Sequence, residues 1–239
     1  MKEAMGATER IIQQYYYSCD AALLSGSVVR GEATTTSDLD LVIFDNKVPS
    51  SYRESFYASD WPVEAFVHNW SSYKEFFQKD YERGMPSMPR MVVEGQVVKE
   101  DSRLWKVKRE ARHLLDQGPL PWSKSTIDEK RYFLTDALDD LIGCTDRGEE
   151  IYIAGKLAEQ VSDFYLRVNR QWIGSSKWTA RALRNYDMEL AERLIRSFDD
   201  LYRKGEKESV IAIIDEVLAP YGGRLFGGFS MGKSRGGIE

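Results

Sequence analysis

Residues 23–44 read LLSGSVVRGEATTTSDLDLVIF, and the fold turns on this stretch. An apolar run leads into the Gly26-Ser27 pair. A polar link then feeds a second apolar run, in which Asp38 and Asp40 alternate with Leu39, Leu41 and Ile43. Alternation with a period of two marks a strand, so the carboxylates share one face and the aliphatic side chains the other. Same-face neighbours stand roughly 6–7 Å apart along a strand. Two carboxylates held side by side supply the hard oxygen ligands that Mg2+ prefers. The Gly-Ser turn, with a short helix predicted over 28–32, offers backbone N–H groups and a hydroxyl to a phosphate. Aspartate is a poor strand former, so two of them in a strong strand need a reason other than folding.

Gly26-Ser27, the ten residues 28–37 and Asp38-Leu39-Asp40 together resemble the DNA polymerase β-type nucleotidyltransferase superfamily. Its signature is Gly-Ser, about ten residues, Asp-x-Asp on a strand and a third acid on a later strand. Arg30-Gly31 and Ser37 also look like the family. For the third acid the candidate is Glu64 in VEAFVH (63–68), where Glu64, Phe66 and His68 share one face and Val63, Ala65 and Val67 the other. Asp60 is the alternative, in a turn that would hold it less rigidly. The resemblance implies that Asp38 and Asp40 bridge two Mg2+ ions and that Glu64 completes the one on the acceptor side. It further implies that Gly26, Ser27 and Ser37 surround the phosphates of ATP or another nucleoside triphosphate. Arg30 either touches phosphate or ties the short helix to the sheet.

The 239 residues suit one or two domains, and a composition of 42% apolar and 30% charged residues is that of a soluble globular chain. Net charge is −5, with 18 acids against 15 bases through Leu120 and 20 against 18 after it. Neither half is basic enough to track a long nucleic acid. The longest apolar runs fall far short of the ~20 residues of a membrane span, and no secretory signal opens the chain, so cytoplasmic residence is expected. The two cysteines, Cys19 and Cys144, then read as reduced packing residues. With only His68 and His113 beside them, structural zinc lacks ligands.

Taken in order, a first helix capped by Thr8 carries Ile11, Ile12, Tyr15, Tyr16 and Cys19 on one face. Strands follow over 21–24, 38–44, 53–58 and 63–68. Helices are expected from Ser71 or Ser72 to Tyr81, briefly from Met88, and over 103–115, with a strand end after Gly95. The segment QGPLPWSKS marks the domain boundary. Beyond it the apolar stripes predict helices over 125–142, 149–172, 177–184, 188–202 and 208–218. The expected fold is α+β: a small mixed sheet with flanking helices (1–118), an all-α helical bundle (119–220) and a flexible Gly-rich tail (221–239). Gly227 to Ser234 matches the P-loop pattern, but neither the strand before nor the helix after that a P-loop requires is predicted.

In the helical half, Trp172 to Arg181 places two Trp around a Gly-Ser break with Lys177 at a helix start. This looks like the substrate-binding helical domain of aminoglycoside-type nucleotidyltransferases, and it makes Lys177 a candidate nucleotide or substrate contact. Asp136, Asp139 and Asp140 crowd one helix. Asp139 and Asp140 are candidates for the acceptor side, against the plain alternative of a solvated face. The resulting expectation is a Mg2+-dependent transferase that moves AMP from ATP to a hydroxyl of a small polar, aminoglycoside-like acceptor. A homodimer is compatible with it. The alternatives are a nucleotidyltransferase with a protein acceptor, as in antitoxins that modify a toxin, and a catalytically silent nucleotide-binding protein.

Overall fold

Alternating aliphatic side chains make the centre of the first unit. The computed structural model describes residues 1–232. Strand β1 (Ala21–Ser25) pairs antiparallel with β2 (Leu39–Phe44), which pairs in parallel with β4 (Trp61–His68). Strands β3 (Tyr52–Ala58) and β5 (Gln96–Lys99) form the edges, giving a mixed sheet of order β3-β4-β2-β1-β5. Leu39, Leu41, Ile43, Val63, Ala65 and Val67 pack on one face against helix α1 (Lys2–Tyr15) through Ala4, Ala7, Ile11 and Ile12. Val42 and Phe44 pack on the other against α3 (Tyr73–Arg83), α4 (Ser87–Glu94) and α5 (Leu104–Gln117). The short helix α2 (Gly26–Val29) directly follows β1.

The described chain divides into two units at Pro119/Leu120. The second is helical: α6 (Lys124–Gly143), α7 (Arg147–Val168), α8 (Lys177–Tyr186), α9 (Met188–Lys204) and α10 (Glu208–Leu218) enclose a core of Leu138, Leu157, Phe164, Leu201 and Ile214. Ser123, Asp146 and Asp187 cap α6, α7 and α9 by accepting from backbone N–H groups three residues on. The expected α+β architecture, a mixed sheet followed by helices, is therefore the observed one.

Several details differ from expectation. Thr8 does not cap α1; it is buried mid-helix and its hydroxyl donates to Ala4 O at 2.8 Å. Helix α2 begins at Gly26 and stops at Val29, because Gly31 takes φ +73° and Glu32 N–H bonds back to Ser27 O. Helix α7 ends at Val168, short of Trp172. Arg170 adopts φ +57°, and the N–H groups of Arg170 and Gln171 close onto Arg167 O and Leu166 O in a left-handed C-terminal cap. The start of the Gly-rich tail is tied to α6: Arg131 donates to Gly223 O, Leu225 N–H donates to Thr135 Oγ1, and Phe229 stacks on Tyr132 at 4.1 Å. Within the P-loop-like pattern, 227–232 form neither strand nor helix, and Lys233 and Ser234 lie outside the described residues, as does the rest of the tail.

Candidate active site

Register across the sheet assembles the site. Ser25 on β1 stands opposite Asp40 on β2, Asp40 opposite Glu64 on β4, and Glu64 opposite Ser55 on β3. This single rung crosses four strands, and Asp38 adds a second carboxylate on the Asp40 face, just before β2. Asp38, Asp40 and Glu64 each bring an oxygen to within 4.8 Å of the others. All three are half-buried, at the rim of the sheet rather than in its core.

Burial, reinforced by the charges of Asp38 and Glu64, pushes the Asp40 carboxyl from an ordinary 3.8 up to about 6. Like charges held this close disfavour simultaneous ionisation, and a cation shared among them relieves the conflict. The donor set, three carboxylates with no sulfur and no imidazole, fits Mg2+ or another hard divalent ion. His68, further along the Glu64 face, is not one of the donors. It is buried, pulled down to about 4 by that burial, and hydrogen-bonded through Nδ1 to Ser51 at 2.8 Å.

The Gly-Ser turn faces these carboxylates. Gly26 has φ +78°, and a Cβ there would fall on the Asp40 carboxylate, so both conformation and space require glycine. The Ser27 hydroxyl donates to Ser37 Oγ at 3.1 Å, and Ser37 Oγ accepts from Thr34 N–H at 2.8 Å, so Ser37 joins the turn to the link that precedes Asp38. Arg30 donates to Glu32 at 3.1 Å and to Glu94 on α4 at 3.0 Å. Ser25 is fully buried and donates to Met91 O at 2.6 Å, fastening α4 over the end of β1.

Gly26, Ser27, Arg30, Ser37, Asp38, Asp40 and Glu64 thus all lie in the first unit, around one end of the sheet. Asp60, the alternative third acid, sits in the β3–β4 turn with φ +65° and is outside the cluster. Lys177, Asp139 and Asp140 belong to the second unit. Lys177 is the exposed first residue of α8; Asp139 and Asp140 are exposed on α6, with Asp139 3.5 Å from Arg224. Sequence reading missed Arg53 and Ser55, which bond the Glu64 carboxylate from β3. The two predicted strands, closing on a four-residue turn over 59–62, would have put Tyr57 opposite Glu64; the observed two-residue turn at Ser59-Asp60 shifts the register and brings Ser55 there.

A nucleotidyltransferase-like protein from Exiguobacterium sibiricum 255-15 is 11% identical over 90% of this chain and 74% of its own, with a TM-score of 0.48. No curated protein matches. The nucleotidyltransferase domain family matches residues 8–131, more than half of the chain, a span that holds the Gly-Ser turn and all three carboxylates. The chain belongs to this nucleotidyltransferase domain family, within the DNA polymerase β-type superfamily.

Proposed function

We propose that the chain transfers a nucleoside monophosphate, AMP from ATP, to a hydroxyl of a small polar acceptor. One observation carries the reading: three carboxylates from two neighbouring strands converge within 4.8 Å, beside a turn whose glycine exists to clear one of them. Asp38, Asp40 and Glu64 are the residues that would hold two Mg2+ ions. Bound there, such ions supply charge stabilisation to the attacking and leaving oxygens of an in-line displacement at phosphorus.

The chain's own groups do the rest. Asp40 on β2 and Asp38, two residues earlier at the strand's entry, hold their carboxylates side by side, so nucleotide and cation would be oriented together. Ser27, linked to Ser37, presents its hydroxyl beside the backbone N–H groups of the turn, where the terminal phosphates would lie. Arg30 is held between Glu32 and Glu94, which favours a role in shaping the turn over direct phosphate binding. The helical unit is the proposed acceptor-binding domain, with Lys177 as a nucleotide or substrate contact and Asp139 and Asp140 on the acceptor side. The even charge of the two halves favours a small acceptor over a long nucleic acid.

Calorimetry with a non-hydrolysable ATP analogue, with and without Mg2+, tests the reading. Binding that requires Mg2+ and is lost in D40N supports it; no binding under either condition overturns it. Pyrophosphate release across a panel of hydroxylated amines then identifies the acceptor class.

A further inference from the structure

The carboxylate cluster carries a cation of its own making. Arg53 on β3 stands opposite Phe66, one same-face step from Glu64, and reaches diagonally to the carboxylate. Its Nε lies 2.8 Å from Glu64 Oε1, and a terminal guanidinium nitrogen bonds the same oxygen. Ser55 Oγ adds a long contact to Oε1 at 3.5 Å. Among the described residues, no hydrogen bond reaches Oε2, so Glu64 keeps one oxygen for a ligand. The guanidinium carbon lies 5.0 Å from the centre of the Phe66 ring, which supports it from below. The Arg53 side chain is 61% exposed against 19% for Glu64. The arginine can therefore swing into water while the carboxylate stays in place.

We infer that Arg53 is a positioning residue that neutralises Glu64 until a divalent cation displaces it, so that its charge sets the divalent affinity of the Glu64 side of the cluster. The inference rests on the nucleotidyl-transfer reading, in that Glu64 completes the acceptor-side ion. Among the described residues no arginine is bonded to Asp38 or Asp40, and the charges of Arg30 and Arg53 reach Asp40 only from farther off, so an ion between that pair meets less competition. An ion drawn to Glu64 must approach a guanidinium already bound to it. A unit charge at that range, partly screened by water, is worth about tenfold in divalent affinity. Glu64, only 19% exposed on a paired strand, is largely ordered without the arginine, so the charge decides the sign.

The test is Mn2+ binding to the metal-stripped full chain, read from the electron paramagnetic resonance signal of free Mn2+. R53Q keeps a hydrogen-bond donor and removes the charge; R53K keeps the charge and removes the fork. The expected result is a Kd about tenfold lower for R53Q than for the wild-type chain, and within about twofold of it for R53K, the gap closing as salt is added. A purely structural arginine would instead weaken Mn2+ binding in both variants. R53Q binding no tighter than the wild-type chain overturns the inference. D40N separates the two readings: binding lost in D40N but unchanged in R53Q removes only the role of Arg53. Binding unchanged in D40N removes the carboxylate platform, and the inference with it.

Discussion

Asp40 is where the folding and chemical demands on this chain meet. Its carboxyl is raised from 3.8 to about 6 by burial and by two like-charged neighbours, so between these values the native state binds a proton that the unfolded chain has released. The contribution of Asp40 to the stability of the metal-free protein is therefore complete below 3.8 and is lost as pH rises through about 6. A divalent cation competes with that proton. Added Mg2+ is expected to raise the melting temperature on the alkaline side of 6 and to do little well below it, as thermal denaturation at a series of pH values would show. Gly26 is the second residue under this double demand. G26A should cost about 2 kcal/mol or more, because a left-handed backbone penalises any side chain and the new methyl also displaces Asp40. Urea melts measure the first effect, and Mn2+ titration of the folded variant measures the loss of the site.

At the scale of elements, the β3–β4 hairpin sets the site's geometry, because its register brings Ser55 opposite Glu64 and Arg53 within reach of it. The turn is made by Ser59 and Asp60, both at positive φ (51° and 65°), a geometry that ordinarily selects Asn-Gly. D60G should therefore stabilise the protein by about 0.5–1 kcal/mol without moving the register, measured as a higher urea midpoint with unchanged Mn2+ affinity. Ser59-Asp60 also shows what the sequence conceals. Strand β2 was legible because its apolar run is broken only by Asp40, on the face opposite Leu39, Leu41 and Ile43, and the five helices of the second unit because their stripes run clean. Glu64 could be singled out by its place on a strand face. Arg53 could not, since its role depends on a register set by a turn that lacks the usual residues. The end of α7 was hidden for a related reason: an arginine takes the left-handed position that a glycine would have advertised.

Across the whole molecule, each unit has its own apolar core, and no described helix is long and apolar enough to cross a membrane. The first carries every carboxylate of the cluster; the second is built on helices α6 to α10, and the start of the Gly-rich tail is laced to α6. Within the first unit, the one side-by-side strand pair running in the same direction is β2 with β4, and it is this pair that juxtaposes Asp40 and Glu64. Strands so oriented cannot be joined by a tight hairpin; the chain must travel out through β3 and return before they meet. Binding of a divalent ion at the proposed site would thus be a late event in the life of a newly made chain. The ion would then meet a finished seat and lengthen the survival of the native state more than it speeds its formation.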